Sequence, residues 1–205
     1  MNTSALHIAG AERRARSNAV GTGLWVFIGV ASTLFALFLA AYVMRLSESD
    51  GSALALPWQL WLSTALLAAG SVALQRASAA AHTARGPLAR SLLLAGGGCA
   101  IAFLGVQWWA WQSLLAASVV LNSNPAASFF YMLTALHGVH VIGGLVAWAV
   151  TARAVPRQPM PVDSAWRIAL CARYWHFLFV VWVLLFASFS WITPDAARFI
   201  CGVAR

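Results

Sequence analysis

The charged residues of this chain stand almost wholly outside its long apolar stretches. It carries 13 basic and 5 acidic residues in 205, and none of them falls in 17–44, 51–75, 91–152 or 174–194. A soluble core of this size has no need of charge-free runs that long. A hydrocarbon layer does, because a charge at mid-bilayer costs roughly 2.5–3.5 kcal/mol on insertion scales. The composition agrees: 61% of the residues are apolar and the mean hydropathy is +0.78, well above a soluble domain. The chain reads as an integral membrane protein.

About 20 residues carry a helix across the hydrocarbon. Residues 24–44 meet that length, and 58–75 give a shorter second span. The run 91–152 is long enough for two helices, and Asn122-Ser123-Asn124-Pro125 divides it. Asn and Ser cap helices, and Pro sits well in a first turn. Spans then fall near 91–114 and 126–150, with a last one over 174–193 before Pro194. The expected fold is all-α, an integral membrane five-helix bundle. A membrane barrel would alternate apolar and polar residues, which Leu34-Phe35-Ala36-Leu37-Phe38-Leu39 does not. The expected organisation is a polar cytoplasmic segment over 1–20, poorly ordered in its first part (1–16), one membrane domain over 21–195, and a short external tail over 196–205. Pro156, Pro159 and Pro161 stiffen the loop between the last two spans.

The net charge of +8 comes from arginine alone among the basic residues. These arginines form no single patch, so nucleic acid is not the expected partner. Arg13, Arg14 and Arg16 precede the first span, Arg76, Arg85 and Arg90 follow the second, and Arg153, Arg157, Arg167 and Arg173 follow the fourth. The other two loops hold only Arg45, against Glu48 and Asp50, or no charge. The positive-inside rule then puts the N-terminus in the cytoplasm and the C-terminus outside. Arg13-Arg14 ahead of an apolar run also resembles a secretory or twin-arginine signal, but the run exceeds an h-region of about 7–15 residues. The segment is expected to stay on the protein.

Chemistry at membrane depth is sparse. The spans hold no Asp, Glu, Lys or Arg, which argues against ion-coupled transport and aspartic intramembrane proteolysis, both of which depend on carboxylates at depth. Cys99, Cys171 and Cys201 are widely spaced, with no CxxC pair, and Cys99 reads as a small packing residue. The ionisable candidates are histidines. His137 and His140, at i and i+3, share one face of the fourth span. Bonds to neighbouring helices or headgroups, metal or haem ligation, and a proton or quinol role all remain open for them. A haem would need a second His at matching depth, and His176 sits at the mouth of the last span. Trp25, Tyr42, Trp58, Trp61, Trp108, Trp109, Trp111, Tyr174, Trp175 and Trp191 lie near span ends, as interfacial aromatics do, and Trp175 and Trp182 share a face. Gly96, Gly97 and Gly98 suit close helix packing.

Three motifs carry a resemblance. Phe130-Tyr131-Met132-Leu133-Thr134, followed by His137-Gly138-Val139-His140 and Gly143, resembles a signature stretch of subunit III of haem–copper oxygen reductases. Tyr174-Trp175-His176-Phe177 with Val180-Val181-Trp182 resembles that family's last helix. Gly23-Leu24-Trp25-Val26-Phe27-Ile28-Gly29 with Ala40-Ala41-Tyr42 and Arg45 resembles the start of its core, in the short five-helix bacterial form of cytochrome c and quinol oxidases. The resemblance implies a non-catalytic accessory subunit of a respiratory terminal oxidase in the bacterial plasma (inner) membrane. It implies packing on subunit I, with subunit II and a small subunit IV nearby, and phospholipids in a V-shaped cleft. Haem and copper are implied in the partner subunits, with no catalytic residue, cofactor or metal site in this chain. His137, His140, Tyr174, Trp175, His176, Trp182 and Trp25 are the expected lipid or subunit-packing residues. The rival readings are a subunit III-like protein of a nitric oxide reductase system, a stand-alone haem- or quinol-binding enzyme using His137 and His140, and a small transporter.

The chain departs from that family at two membrane-depth carboxylates. Ala31 stands where a Glu is usual, and Phe179 where an Asp is usual. Carboxylate-directed reagents should therefore leave the first and last spans unmodified. Peptide mass mapping after treatment checks this, and stoichiometric labelling inside either span would overturn the motif alignment.

Overall fold

The structure, a computed structural model, describes residues 3–48, 56–117, 125–155 and 162–202. Six helices account for nearly all of them: α1 (Thr3–Glu48), α2 (Gln59–His82), α3 (Gly86–Ala116), α4 (Pro125–Ala154), α5 (Val162–Trp191) and α6 (Pro194–Cys201). No strand occurs among the described residues, so the all-α expectation holds. Pro125 opens α4, as the breaker at 122–125 implied, although residues 122–124 and Pro156, Pro159 and Pro161 lie outside the described residues. The α2–α3 turn is tight: Ala84 takes a left-handed backbone (φ 56°), and the Arg85 N–H donates to the Ala80 carbonyl at 3.0 Å.

Side-chain pairs fix the directions. Phe27 meets His140 while Tyr42 meets Phe129, so α1 and α4 run antiparallel. Phe27 also meets Tyr174 while Tyr42 meets Phe189, so α1 and α5 run parallel. Thr64 pairs with Trp182 and Gln75 with His176, which makes α2 antiparallel to α5. The five long helices therefore alternate in direction along the chain. α2, α3, α4 and α5 close a ring in which each packs on two neighbours, and α1 lies outside the ring against α4 and α5. Half of the apolar window of α5 is buried, against 11% of that of α1. α5 is the central helix and α1 a peripheral one.

Four helices, α1, α3, α4 and α5, are long and apolar enough to cross a membrane, and α2 stands at the shorter second span of the expected five. α2 has the length, 24 residues or roughly 36 Å at about 1.5 Å per residue, but not the apolarity. It buries Gln59, Ser63, Ser71 and Ser78 inside the ring, so its polarity is turned away from lipid and lowers the hydropathy without opposing a transmembrane position. The N-terminus differs from expectation: the helix of α1 begins at Thr3, so the polar segment expected to be loose is helical and continuous with the first span. Beyond the last span, Thr193 caps α6 by accepting from the Ala196 N–H, Pro194 occupies its first turn, and Gly202 (φ 67°) ends it. The expected tail thus opens with a complete short helix.

The glycine run of α3 separates by face. A methyl group on Gly97 would overlap the indole of Trp148 on α4, whose Nε1 donates to the Leu93 carbonyl at 2.8 Å. A methyl on Gly96 would come within 2.6 Å of Leu74 on α2, whereas one on Gly98 meets nothing within 4 Å. Gly97→Ala should therefore destabilise the bundle by about 1–3 kcal/mol, the usual penalty of overpacking. Gly98→Ala should be neutral or raise stability by up to about 1 kcal/mol through helix propensity. Thermal unfolding in mild detergent separates them, and equal midpoints would refute the packing described.

Candidate lipid and subunit-packing site

The polar side chains at membrane depth gather where α4 and α2 meet α5. Hydrocarbon offers no water to a hydroxyl or imidazole, so each such group seeks a neighbouring helix. His137 is fully buried, and its Nε2 donates to the Leu178 carbonyl of α5 at 3.0 Å. Phe35, Phe103 and Trp182 surround its ring, with centroids 6.3, 5.6 and 5.2 Å away. His140 is half-buried, donates from Nδ1 to the Leu136 carbonyl at 2.8 Å, and packs against Phe27 and Phe35 of α1. Tyr174 donates its hydroxyl to the His140 carbonyl at 2.9 Å. The two imidazoles thus face different neighbours. A His137 that donates from Nε2 keeps only a buried Nδ1 for a metal, inside an aromatic wall. Among the described residues no group of three or more His, Cys, Asp or Glu could hold a metal ion, and Cys99, Cys171 and Cys201 are free thiols.

On the other side of α5, His176 donates from Nε2 to Gln75 Oε1 at 3.0 Å and accepts at Nδ1 from the Ser71 hydroxyl of α2. One neutral tautomer satisfies both contacts. Trp182 Nε1 donates to Thr64 Oγ1 of α2 at 2.9 Å, and Trp175 is buried in the ring.

Several residues expected at the lipid interface sit inside instead. Tyr42 is buried against Phe129 and Phe189, Tyr174 and Trp175 are buried inside the last span, which opens at Ala165 and not at Tyr174 as expected, and His176 bonds to α2 rather than to a loop or headgroup. Tyr42 differs from the exposed tryptophans by facing, whereas Tyr174, Trp175 and His176 differ by depth as well, because the last span begins at Ala165. Trp25, Trp58, Trp61, Trp108, Trp109 and Trp191 are exposed at span ends. At the two departures, Ala31 is buried between Phe27 and Phe35 on one stripe of α1, and Phe179 is half-buried against the core. No carboxylate of α1 or α5 stands at membrane depth beside the imidazoles.

Beneath the histidines α1 parts from α4 and α5. The resulting cleft measures about 490 Å³ and is lined by Val20, Leu24 and Phe27 of α1, Gly143, Ala147, Val150 and Thr151 of α4, and Trp166, Arg167, Leu170, Cys171 and Tyr174 of α5. Its walls are almost wholly apolar, with Arg167, which also lies over the Trp166 ring at 5.4 Å, as its cation. A charge at the edge of an apolar slot suits an amphiphile with an anionic head and hydrocarbon tails. Sequence reasoning passed over Thr64, Ser71, Gln75 and the cleft role of Arg167. A hydroxyl or amide has meaning at depth only once its partner helix is known, and Arg167 read as one topology charge among several.

The fold and these contacts define a class: an all-helical integral membrane protein whose deep polar groups join helices and which opens an apolar cleft at one end. The chain matches the family model "Cytochrome c oxidase subunit III" over residues 7–193, and it belongs to that family. It is 27% identical over 187 residues, 86% of this chain and 90% of the relative, to "Probable cytochrome c oxidase subunit 3" of Nocardia farcinica. It is 28% identical over 176 residues to "Cytochrome c oxidase subunit 3" of Bacillus sp. strain PS3, covering 80% of this chain and 81% of the relative. It is 25% identical over 169 residues to "Cytochrome bo(3) ubiquinol oxidase subunit 3" of Pseudomonas aeruginosa, covering 80% of each chain.

The His176–Gln75 pair should show a coupling of roughly 0.6 kcal/mol, the average for interhelical bonds in membranes, and no more than about 1.7 kcal/mol. A double-mutant cycle of His176→Leu and Gln75→Leu on unfolding in detergent measures it. Additive effects would return His176 to the lipid interface.

Proposed function

We propose that the chain is a non-catalytic accessory subunit of a respiratory haem–copper terminal oxidase in a bacterial plasma membrane. In this reading partner subunits hold the haem and copper, oxidise cytochrome c or quinol, and reduce oxygen. The chain packs on subunit I, with subunit II and a small subunit IV in the same complex, and retains phospholipid in the cleft between α1, α4 and α5. His137, His140, Tyr174, Trp175, His176, Trp182 and Trp25 serve packing and lipid contact and no catalysis. The arginine distribution supports an N-terminus in the cytoplasm, which puts the cleft and Arg167 at the cytoplasmic leaflet.

The cleft carries the lipid part of this reading. Its apolar walls match acyl chains, and Arg167 matches a phosphate diester at headgroup depth. Gly143 lines it, and a methyl placed there meets nothing within 4 Å, so a larger side chain can fill the slot without disturbing the bundle.

A tagged chain drawn from native membranes in mild detergent should bring a large haem–copper subunit in equal amount, together with tightly held phospholipid. Gly143→Leu and Arg167→Ser should each lower the retained phospholipid severalfold while the large subunit still co-purifies, as native mass spectrometry would read. Recovery of the chain alone would refute the accessory role. Unchanged lipid in both variants would refute the cleft as the lipid site.

A further inference from the structure

A second groove runs along the seam between α3 and α4, away from the lipid cleft. The two helices are tied near the ends of this seam, by Trp148 Nε1 donating to the Leu93 carbonyl at 2.8 Å and by Trp111 Nε1 donating to Thr134 Oγ1 at 3.2 Å. An apolar groove of about 360 Å³ opens along the seam, lined by Leu104, Ala135, Gly138, Val139 and Ile142. Past Trp108 and Trp111 it adjoins a hollow of about 350 Å³ beside Leu115. From Leu104 to Leu115 the trough is roughly 16 Å long at about 1.5 Å per residue, three turns of helix.

An independent feature lies in the same groove. Gln107 lines it, is only 5% exposed, and finds no hydrogen-bond partner for either its amide nitrogen or its oxygen. It stands within the apolar stretch of α3, where water is not available to serve it. A primary amide needs an acceptor and a donor. An acyl chain offers neither, and a lipid ester carbonyl offers only the acceptor. A polar side chain on a transmembrane helix offers both. Ala135 and Gly138 are small, and the space before Gly138 is open, so a partner backbone can approach closely.

We propose that this groove receives a transmembrane helix of a partner subunit, and that the buried Gln107 amide turns outward into the groove to bond an Asn, Gln, Ser or Thr side chain on that helix. The inference rests on the accessory-subunit reading, since it assigns one of the partners a seat. Val139 and Ile142, both exposed on the groove's rim, would be covered by the incoming helix. The amide would fix the partner's register, as a lone polar residue does in an otherwise apolar helix pair.

The test uses the full chain in native membranes, with a photoreactive phenylalanine analogue in place of Val139 and, as a control, of Val72 on the exposed face of α2. Irradiation should join position 139, and not position 72, to a transmembrane peptide with Asn, Gln, Ser or Thr within one turn of the crosslinked residue. Gln107→Leu should cut that adduct at least fivefold while the chain's abundance in the membrane stays level. An adduct with lipid or quinone alone, with a soluble segment, or with nothing would overturn the inference, as would an adduct indifferent to Gln107→Leu. Co-purification of the large haem–copper subunit from the same membranes separates the two readings. If that subunit is present without the adduct, only the groove assignment fails; if it is absent, the accessory role fails as well.

Discussion

The architecture depends on one helix satisfying the polar groups of its neighbours. Lipid tails are as apolar as leucine, so burying leucine against leucine does little to join helices inside a membrane. Close packing and hydrogen bonds must do it. Here both converge on α5, which accepts from His137 of α4 at the Leu178 carbonyl, donates from Tyr174 to the carbonyl of His140, and meets Ser71, Gln75 and Thr64 of α2 through His176 and Trp182. The aromatic rings around His137 add contacts of about 0.5–1.5 kcal/mol each. The ring of α2 to α5 closes around these ties, and the polarity of α2 becomes an asset because it faces them.

The cleft follows from what α1 lacks. Among the described residues α1 shows no polar tie to α5 at the level of Leu24 and Phe27, where Phe27 meets the rings of His140 on α4 and Tyr174 on α5. At its other end it is held more firmly. Tyr42 packs between Phe129 and Phe189, and α6 lies against it, with Arg198 Nε donating to the Ser47 carbonyl at 3.4 Å. A helix fastened at one end and parted from its neighbours at the other makes a wedge-shaped opening. The apolar cleft between α1, α4 and α5 lies at the parted end, so a few aromatic and polar contacts decide where it opens.

How much of this was legible beforehand depends on what each signal measures. Charge-free runs report the surroundings of a segment, so the membrane class and the four longest helices were plain in 17–44, 91–152 and 174–194. α2 was harder, because a helix shielded by its neighbours is free to carry Ser, Thr and Gln, which lowers the very signal used to find it. Facing was the least legible. Tyr42 and Trp25 both stand near the ends of one span, yet one is buried and the other exposed. Hydropathy fixes depth, whereas the side of the helix is chosen by partners distant in sequence, such as Phe189 for Tyr42 and Gln75 for His176. The partners of a hydroxyl or amide are invisible until the helices are placed.

The two missing carboxylates bear on how such a subunit can work. A Glu at the position of Ala31 would enter the stripe between Phe27 and Phe35, directly over His140. There it would need an imidazole partner to offset the several kcal/mol that an ion loses on leaving water. In this chain the stripe is aromatic and neutral, and His140 meets ring faces where a carboxylate would otherwise reach it. The same holds at Phe179, which joins the apolar core. α1 and α5 therefore hold their positions by packing that is indifferent to protonation at a carboxylate, and they offer no acidic relay at depth. What α1 and α4 do offer at this depth is shape: an apolar cleft beside α1, and on the far side of α4 an apolar groove beside Gln107.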